Sequence, residues 1–366
     1  MRTDRVGARF FVPGPTAVRP AILRTMTRPM IAHRSPEMRE LLAHVYAELP
    51  PLFGTAAPVY VSSGAATGMM ESAVRCGAGS RVLSLVAGAF GERFARIAEA
   101  CGRTVTRLVA APGDSVSADA LADALEHGDY DAVTAVHIET STGAMADVAS
   151  YGRALAVHDD VLLLVDAVSS VGGMAVEMDS TRLDIVLSAS QKALALPPGL
   201  SFIACSPRAM ARARELPDRG MYLDVLRMDD YWRQGGTAGT PAIPQLYALD
   251  AQLTAIRQEG LPARFARHRA MAAVVHEWAS SATTRERGVG LLAGEGARAP
   301  TVSCLTVPGD AMRLVQQLGE RGFELGTGYG ELSATTIRIG HMGDHTVREV
   351  RQLLRALDEA VDSLAT

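Results

Sequence analysis

The chain has 366 residues, 48 % of them hydrophobic, and a formal net charge of −4. That length exceeds one small domain and supplies apolar side chains for two packed ones. The charge leaves no basic footprint for nucleic acid, no apolar run reaches the length of a membrane span, and the opening Met1-Arg-Thr-Asp-Arg-Val-Gly lacks the apolar stretch of a secretory signal. Cys76, Cys101, Cys205 and Cys304 are scattered without metal spacing and read as free thiols of a cytoplasmic protein.

The segment Phe10-Phe-Val-Pro-Gly-Pro15 is expected to cross to a second subunit or to fold onto a smaller domain. Short apolar runs then predict strands at Pro58–Val61, Arg81–Leu85, Thr104–Leu108, Ala132–His137, Val161–Asp166, Asp184–Ser188 and Leu200–Ala204. Helices are predicted between them at Gly68–Cys76, Gly91–Cys101, Ala118–His127 and Val148–His158. This rhythm implies an α/β fold with a large, mainly parallel seven-stranded sheet covered on both faces. From Gln245 to Gln258, Leu246, Leu249, Leu253 and Ile256 recur at helical spacing and predict a bridging helix. The charge run Arg264 to Arg269 reads as the coat of a helix surface. A strand at Val302–Val307, a helix near Ala311–Arg321, a strand at Thr336–Ile339 and a last helix from Asp344 predict a smaller C-terminal α+β domain. The expected division is an N-terminal segment 1–19, a large domain 20–258 including the bridge, and a small domain 259–366.

Ligands of such sheets gather at the carboxyl ends of the strands, where His137 and Asp166 fall. Leu162-Leu-Leu-Val-Asp166 is a buried run ending in a carboxylate, and Lys192 follows on a loop between two further strands. A loop lysine is ordinarily a solvated group, and an aspartate after a strand ordinarily a turn former or cap. In this order they also fit a pyridoxal 5′-phosphate (PLP) site, with Lys192 holding the cofactor covalently and Asp166 facing its ring nitrogen.

Leu164-Val-Asp-Ala-Val-Ser-Ser-Val-Gly-Gly173 and Ser190-Gln-Lys-Ala-Leu-Ala-Leu-Pro-Pro-Gly199 resemble the class V, fold-type I aminotransferases, nearest the alanine–glyoxylate and serine–pyruvate group. Weaker matches run in family order from Pro13 to about Gly343. The resemblance implies PLP as cofactor, Lys192 and Asp166 as catalytic residues, and Gln191 as a ring contact. It places the phosphate at Ala65, Ala66 and Thr67 in Ser62-Ser-Gly-Ala-Ala-Thr67, where a strand opens a helix. Two alanines leave backbone amides and the Thr67 hydroxyl to hold that anion. Phe90 is implied over the ring face, where relatives carry tryptophan or tyrosine, and Thr140 beside the 3′-oxygen. His137 and Glu139 are expected to play supporting roles. Arg338, inside an apolar strand, is the implied grip for the substrate carboxylate. Thr240, in Tyr231-Trp-Arg-Gln-Gly-Gly-Thr-Ala-Gly-Thr-Pro241, is implied to reach the neighbouring subunit's phosphate, and Thr237 stands where relatives carry tyrosine. With His33 and Arg34 bordering the substrate entrance, the active sites would be shared within a homodimer.

The implied activity moves an amino group from alanine or serine to glyoxylate or pyruvate by a ping-pong cycle. Alternatives are another donor, 2-aminoethylphosphonate or pyridoxamine, with pyruvate, or a PLP lyase of the cysteine desulfurase kind. For a desulfurase, Cys304 and Cys205 lie in or beside strand-like runs, a poor setting for a reactive thiol.

Overall fold

The structure is a computed structural model that describes residues 9–363. The expected N-terminal and small-domain segments therefore run past the described residues at both ends. Seven strands form the large sheet: β1 Val59–Ser63, β2 Arg81–Val86, β3 Thr104–Val109, β4 Ala132–Val136, β5 Leu162–Asp166, β6 Ile185–Ala189 and β7 Leu200–Cys205. Their spatial order is β1-β7-β6-β5-β4-β2-β3. Only β7 runs against its neighbours; the pairs among β2 to β6 are parallel. Strand β5 shows why the runs are continuously apolar. Leu162 and Leu164 pack into one buried cluster with Met69, Met70 and Phe94, while Leu163 and Val165 enter another with Leu246 and Leu249. A strand covered on both faces has no polar side to alternate with.

The covering helices include α1 Ala66–Gly77, α2 Ala89–Ala100, α3 Ala118–His127 and α4 Val148–Ala154. The helix expected to reach His158 instead tightens into a 3₁₀ turn at Leu155–Val157. Helix α5, Ile243–Glu259, is the bridge, and α6, Leu261–Ser280, follows it directly, broken by Gly260 at φ 79°.

The C-terminal part is a four-stranded antiparallel sheet of β8 Gly290–Leu291, β9 Val302–Thr306, β10 Gly326–Thr327 and β11 Thr336–Gly340, ordered β8-β9-β11-β10. It packs with α6, α7 Ala311–Glu320 and α8 Val347–Asp362. Helix α8 starts three residues later than expected because Thr346 and Glu349 cap each other's backbone. The opening segment folds onto this part: Arg9 and Phe10 pair with Phe323 and Glu324, and Phe11 enters its core.

The run Arg264–Arg269 departs from expectation. It lies on α6, but Arg264 is 1 % exposed and His268 is fully buried, while Arg269 is exposed. The start of the helix packs against the loops that follow β5 and β6, so one side of the charge run faces inward. There Arg264 satisfies backbone carbonyls instead of meeting water. No described helix is long and apolar enough to cross a membrane.

Candidate active site

The expected site residues converge on the carboxyl edge of the parallel strands. Asp166 ends β5 and is 4 % exposed; its Oδ1 accepts the Val168 N–H at 2.8 Å. Burial raises its pKa to about 7, with Glu139 adding to the rise and the Val168 amide, Lys192 and Arg93 opposing it. A buried carboxylate with so little compensation is a receptor for one more proton donor.

Lys192 lies just beyond β6 and is 9 % exposed. It is also the only lysine in the chain. Burial, reinforced by Arg338, lowers its pKa to about 8. Its Nζ donates to the Pro13 carbonyl. Residue 14 must be glycine: its φ is +109°, and a Cβ there would lie 2.6 Å from Lys192 Cδ. Thr16 completes the clasp, its N–H donating to Gln191 O at 3.0 Å and its hydroxyl to Lys192 O at 2.9 Å. The N-terminal segment thus forms a wall of the lysine site, a role the sequence reading did not assign.

Phe90 opens α2, with its ring centroid 5.9 Å from Lys192 Nζ. Glu139 fixes that helix end. It is 1 % exposed, and one carboxylate oxygen accepts the N–H groups of Phe90 and Gly91, each at 3.0 Å. Its other oxygen accepts the Ser141 N–H at 3.0 Å and hydroxyl at 2.5 Å. The supporting role expected of Glu139 is therefore a helix cap on the residue that carries the aromatic ring. His137 is buried, its Nδ1 has no partner, and burial lowers its pKa to about 4.

Arg338 projects from β11. Its Nε donates to Thr327 O at 2.8 Å and its Nη1 to Thr140 O at 3.3 Å. Thr140 is buried and reaches the guanidinium through its carbonyl. No ion pair to Arg338 exists among the described residues, and burial lowers its pKa. Two groups not foreseen from the sequence lie alongside. Arg93 stands 4.8 Å from the Phe90 ring centroid and donates to the Tyr329 hydroxyl at 3.2 Å.

Ala65 is the N-cap of α1, and no side chain bonds to that helix end. Gly64, Ala65 and Thr67 are exposed, leaving the first amides of a 12-residue helix open to an anion. Ser62 and Ser63 share a cleft with Thr240, which also lines an open depression of about 650 Å³ with His33, Arg34 and Thr237. The Thr237 hydroxyl is turned onto its own loop, donating to Gly239 O at 2.7 Å.

These groups fit PLP. An under-compensated buried carboxylate suits a ring nitrogen, a buried amine suits a carbonyl carbon, a phenyl ring suits the ring face, and an uncapped helix end suits the phosphate. Fold and site together define a fold-type I PLP-dependent transferase.

Residues 63–353 match the family model described as aminotransferase class-V. The chain belongs to the class-V aminotransferases, and its cofactor is pyridoxal phosphate. It is 34 % identical to an aminotransferase of Methanocaldococcus jannaschii, over 100 % of this chain and 95 % of that one. It is 32 % identical to the L-aspartate–glyoxylate aminotransferase of Paracoccus denitrificans, over 92 % of this chain and 86 % of that one. Among solved structures, the alanine–glyoxylate aminotransferase from Nostoc sp. superposes with a TM-score of 0.91 at 29 % identity, covering 99 % of this chain and 97 % of that one.

Proposed function

We propose that this aminotransferase moves an amino group from a small L-amino acid, alanine or serine, to glyoxylate or pyruvate. The observation that carries the reading is Arg338, a part-buried guanidinium without an anion, on the same side of the site as the buried Lys192 amine. An uncompensated cation there is a binding site for the carboxylate common to donor and acceptor. The names of two similar proteins, one acting with L-aspartate and one with alanine, both include glyoxylate and support that acceptor.

PLP, when bound, supplies the electron sink and carries the amino group between the two halves of a ping-pong cycle. Asp166 would keep the proton on its ring nitrogen, and the amides of Ala65, Ala66 and Thr67 with the Thr67 hydroxyl would hold its phosphate. Phe90 would cover the ring, and Thr140 and Gln191 would border it. Lys192 would hold the cofactor, and as a free amine it would move the proton at the substrate Cα; burial lowers its pKa to about 8 in the cofactor-free protein, toward the range of a working base. Arg338 orients the Cα–H bond by fixing the carboxylate. Thr240, His33 and Arg34 line an open surface depression, which we assign to contact with a second copy, making the working unit a homodimer.

The desulfurase reading fares worse. All four cysteines are buried, and burial raises the pKa of both Cys205 and Cys304, away from thiolate chemistry.

The test is an absorbance titration of the holoenzyme with a panel of amino donors. Loss of the cofactor band with alanine or serine and its return with glyoxylate or pyruvate supports the reading. Conversion only by a different donor class, or Lys192→Ala retaining the band and full turnover, overturns it.

A further inference from the structure

We propose that Tyr329 sets the upper size limit of the amino donor. The inference rests on the reading of Arg338 as the carboxylate grip, and it names the wall against which the donor side chain lies.

Tyr329 is the only side chain of a Gly328-Tyr-Gly330 tripeptide between β10 and a 3₁₀ turn at Gly330–Ala334. The backbone on both sides of it is fixed. The Gly328 N–H donates to Thr336 O at 2.7 Å, and a Cβ at residue 328 would lie 2.1 Å from Thr336 Oγ1 and 2.2 Å from Leu332 O. Gly330 has a φ of +57°, and the Leu332 N–H returns to Tyr329 O at 3.2 Å. A pinned loop thus presents one ring, without neighbouring side chains to share the position.

The ring stands where a donor would project. Its centroid is 5.9 Å from the Arg338 guanidinium carbon and 5.9 Å from the Phe90 ring centroid. Phe90 in turn is 5.9 Å from Lys192 Nζ. A donor with its carboxylate on Arg338 therefore lies within a side chain's reach of the Tyr329 ring, whose contact with Phe90 closes that side of the site. Arg93 donates to the Tyr329 hydroxyl at 3.2 Å, so the ring is held at its tip as well as its base. Tyr329 is 42 % exposed. It belongs to none of the buried clusters, so its truncation leaves those cores intact.

The experiment compares holoenzyme of wild type, Tyr329→Ala and Tyr329→Phe. Calorimetry gives the dissociation constants of propionate and 3-phenylpropionate, which read the pocket without turnover. Steady-state kinetics give kcat/KM for alanine and phenylalanine. Tyr329→Ala is expected to improve the bulky ligand relative to the small one by roughly tenfold or more in both readouts, the discrimination that a few methylene-sized contacts provide. Tyr329→Phe keeps the ring and is expected to keep both ratios. Unchanged ratios in Tyr329→Ala overturn the proposal while leaving the aminotransferase reading in place. An Arg338→Met holoenzyme that binds propionate as wild type does overturns the carboxylate grip, and this proposal with it.

Discussion

Replacing Arg264 with methionine tests whether the lysine loop is held from behind. Methionine keeps much of the buried aliphatic volume and donates nothing. Arg264 Nε donates to Gly172 O at 2.8 Å, and Nη2 to Ala193 O at 2.6 Å, the carbonyl next to Lys192. Its Nη1 lies 2.9 Å from Glu259 and 3.2 Å from Asp344. The two carboxylates would not be stranded by the change. Arg267 bonds Glu259 at 2.7 and 3.0 Å, and Arg19 Nε lies 2.6 Å from Asp344. The two carbonyls would be, since Gly172 and Ala193 are both buried. Stranding a buried acceptor costs about 1–3 kcal/mol, so the pair sets a loss of about 4 kcal/mol, or roughly a thousandfold in the unfolding equilibrium. The assay is urea unfolding followed by circular dichroism, with Arg269→Ala on the exposed side of α6 as control, expected within about 0.5 kcal/mol of wild type. Arg264→Lys should resemble Arg264→Met, because one ammonium cannot span acceptors that a planar fork reaches. A loss below about 1 kcal/mol in Arg264→Met would refute the reasoning, because carbonyls that cost so little to strand cannot be what anchors the loop.

The single lysine makes its ionisation directly measurable. In the cofactor-free protein, acylation of Lys192 read by peptide mass spectrometry should reach half its maximal rate near pH 8, because burial disfavours the ammonium; a midpoint near the ordinary value of 10.5 would contradict the buried geometry. Acid should destabilise the cofactor-free protein. His137, His268, His276 and His341 have folded pKa values lowered by burial to about 4, 3, 4 and 3, so the stability they leave intact above 6.5 is lost as pH falls below it. Asp166 acts in the opposite sense, its raised pKa of about 7 adding stability as pH falls from neutrality. Between pH 7 and 5.5 the four histidines cost about 5 kcal/mol and Asp166 returns about 2, a net loss of roughly 3 kcal/mol; a urea midpoint constant over that range would rule it out.

The parallel sheet was legible because its strands are buried on both faces and so are written as unbroken apolar runs; Leu162 to Val165 divides its side chains between two cores, yet reads as one word. Asp166 and Lys192 were legible because a charged group at the end of such a run is out of place unless it has chemistry to do. Arg264 was not, because an arginine within Arg264–Arg269 has the composition of a solvated helix face. Only the packing of α6 against the loops after β5 and β6 turns that arginine inward. His268 hid in the same way: its Nδ1 bonds Arg264 O at 2.8 Å and its Nε2 accepts the Gly343 N–H at 3.0 Å, a tautomer fixed by contacts far apart in sequence. One signal was present in composition: a chain with 36 basic residues and a single lysine marks that lysine before any motif is read.

The polar groups behind the site share a logic that neither sheet explains alone. Lys192 must be neutral for part of its work, and Asp166 must be able to accept a cation. Groups that bring fixed charge close to them would bias both. The buried histidines nearby are held neutral by burial, and the guanidinium of Arg264 is spread over two carbonyls and two carboxylates. Among the residues that touch the Phe90–Tyr329 wall, Arg338 and Arg93 are guanidinium groups without a carboxylate partner. An anionic substrate therefore meets uncompensated positive charge on the side where its carboxylate is wanted, so the Arg338 charge that adds to burial in lowering the Lys192 pKa also orients what Lys192 acts on.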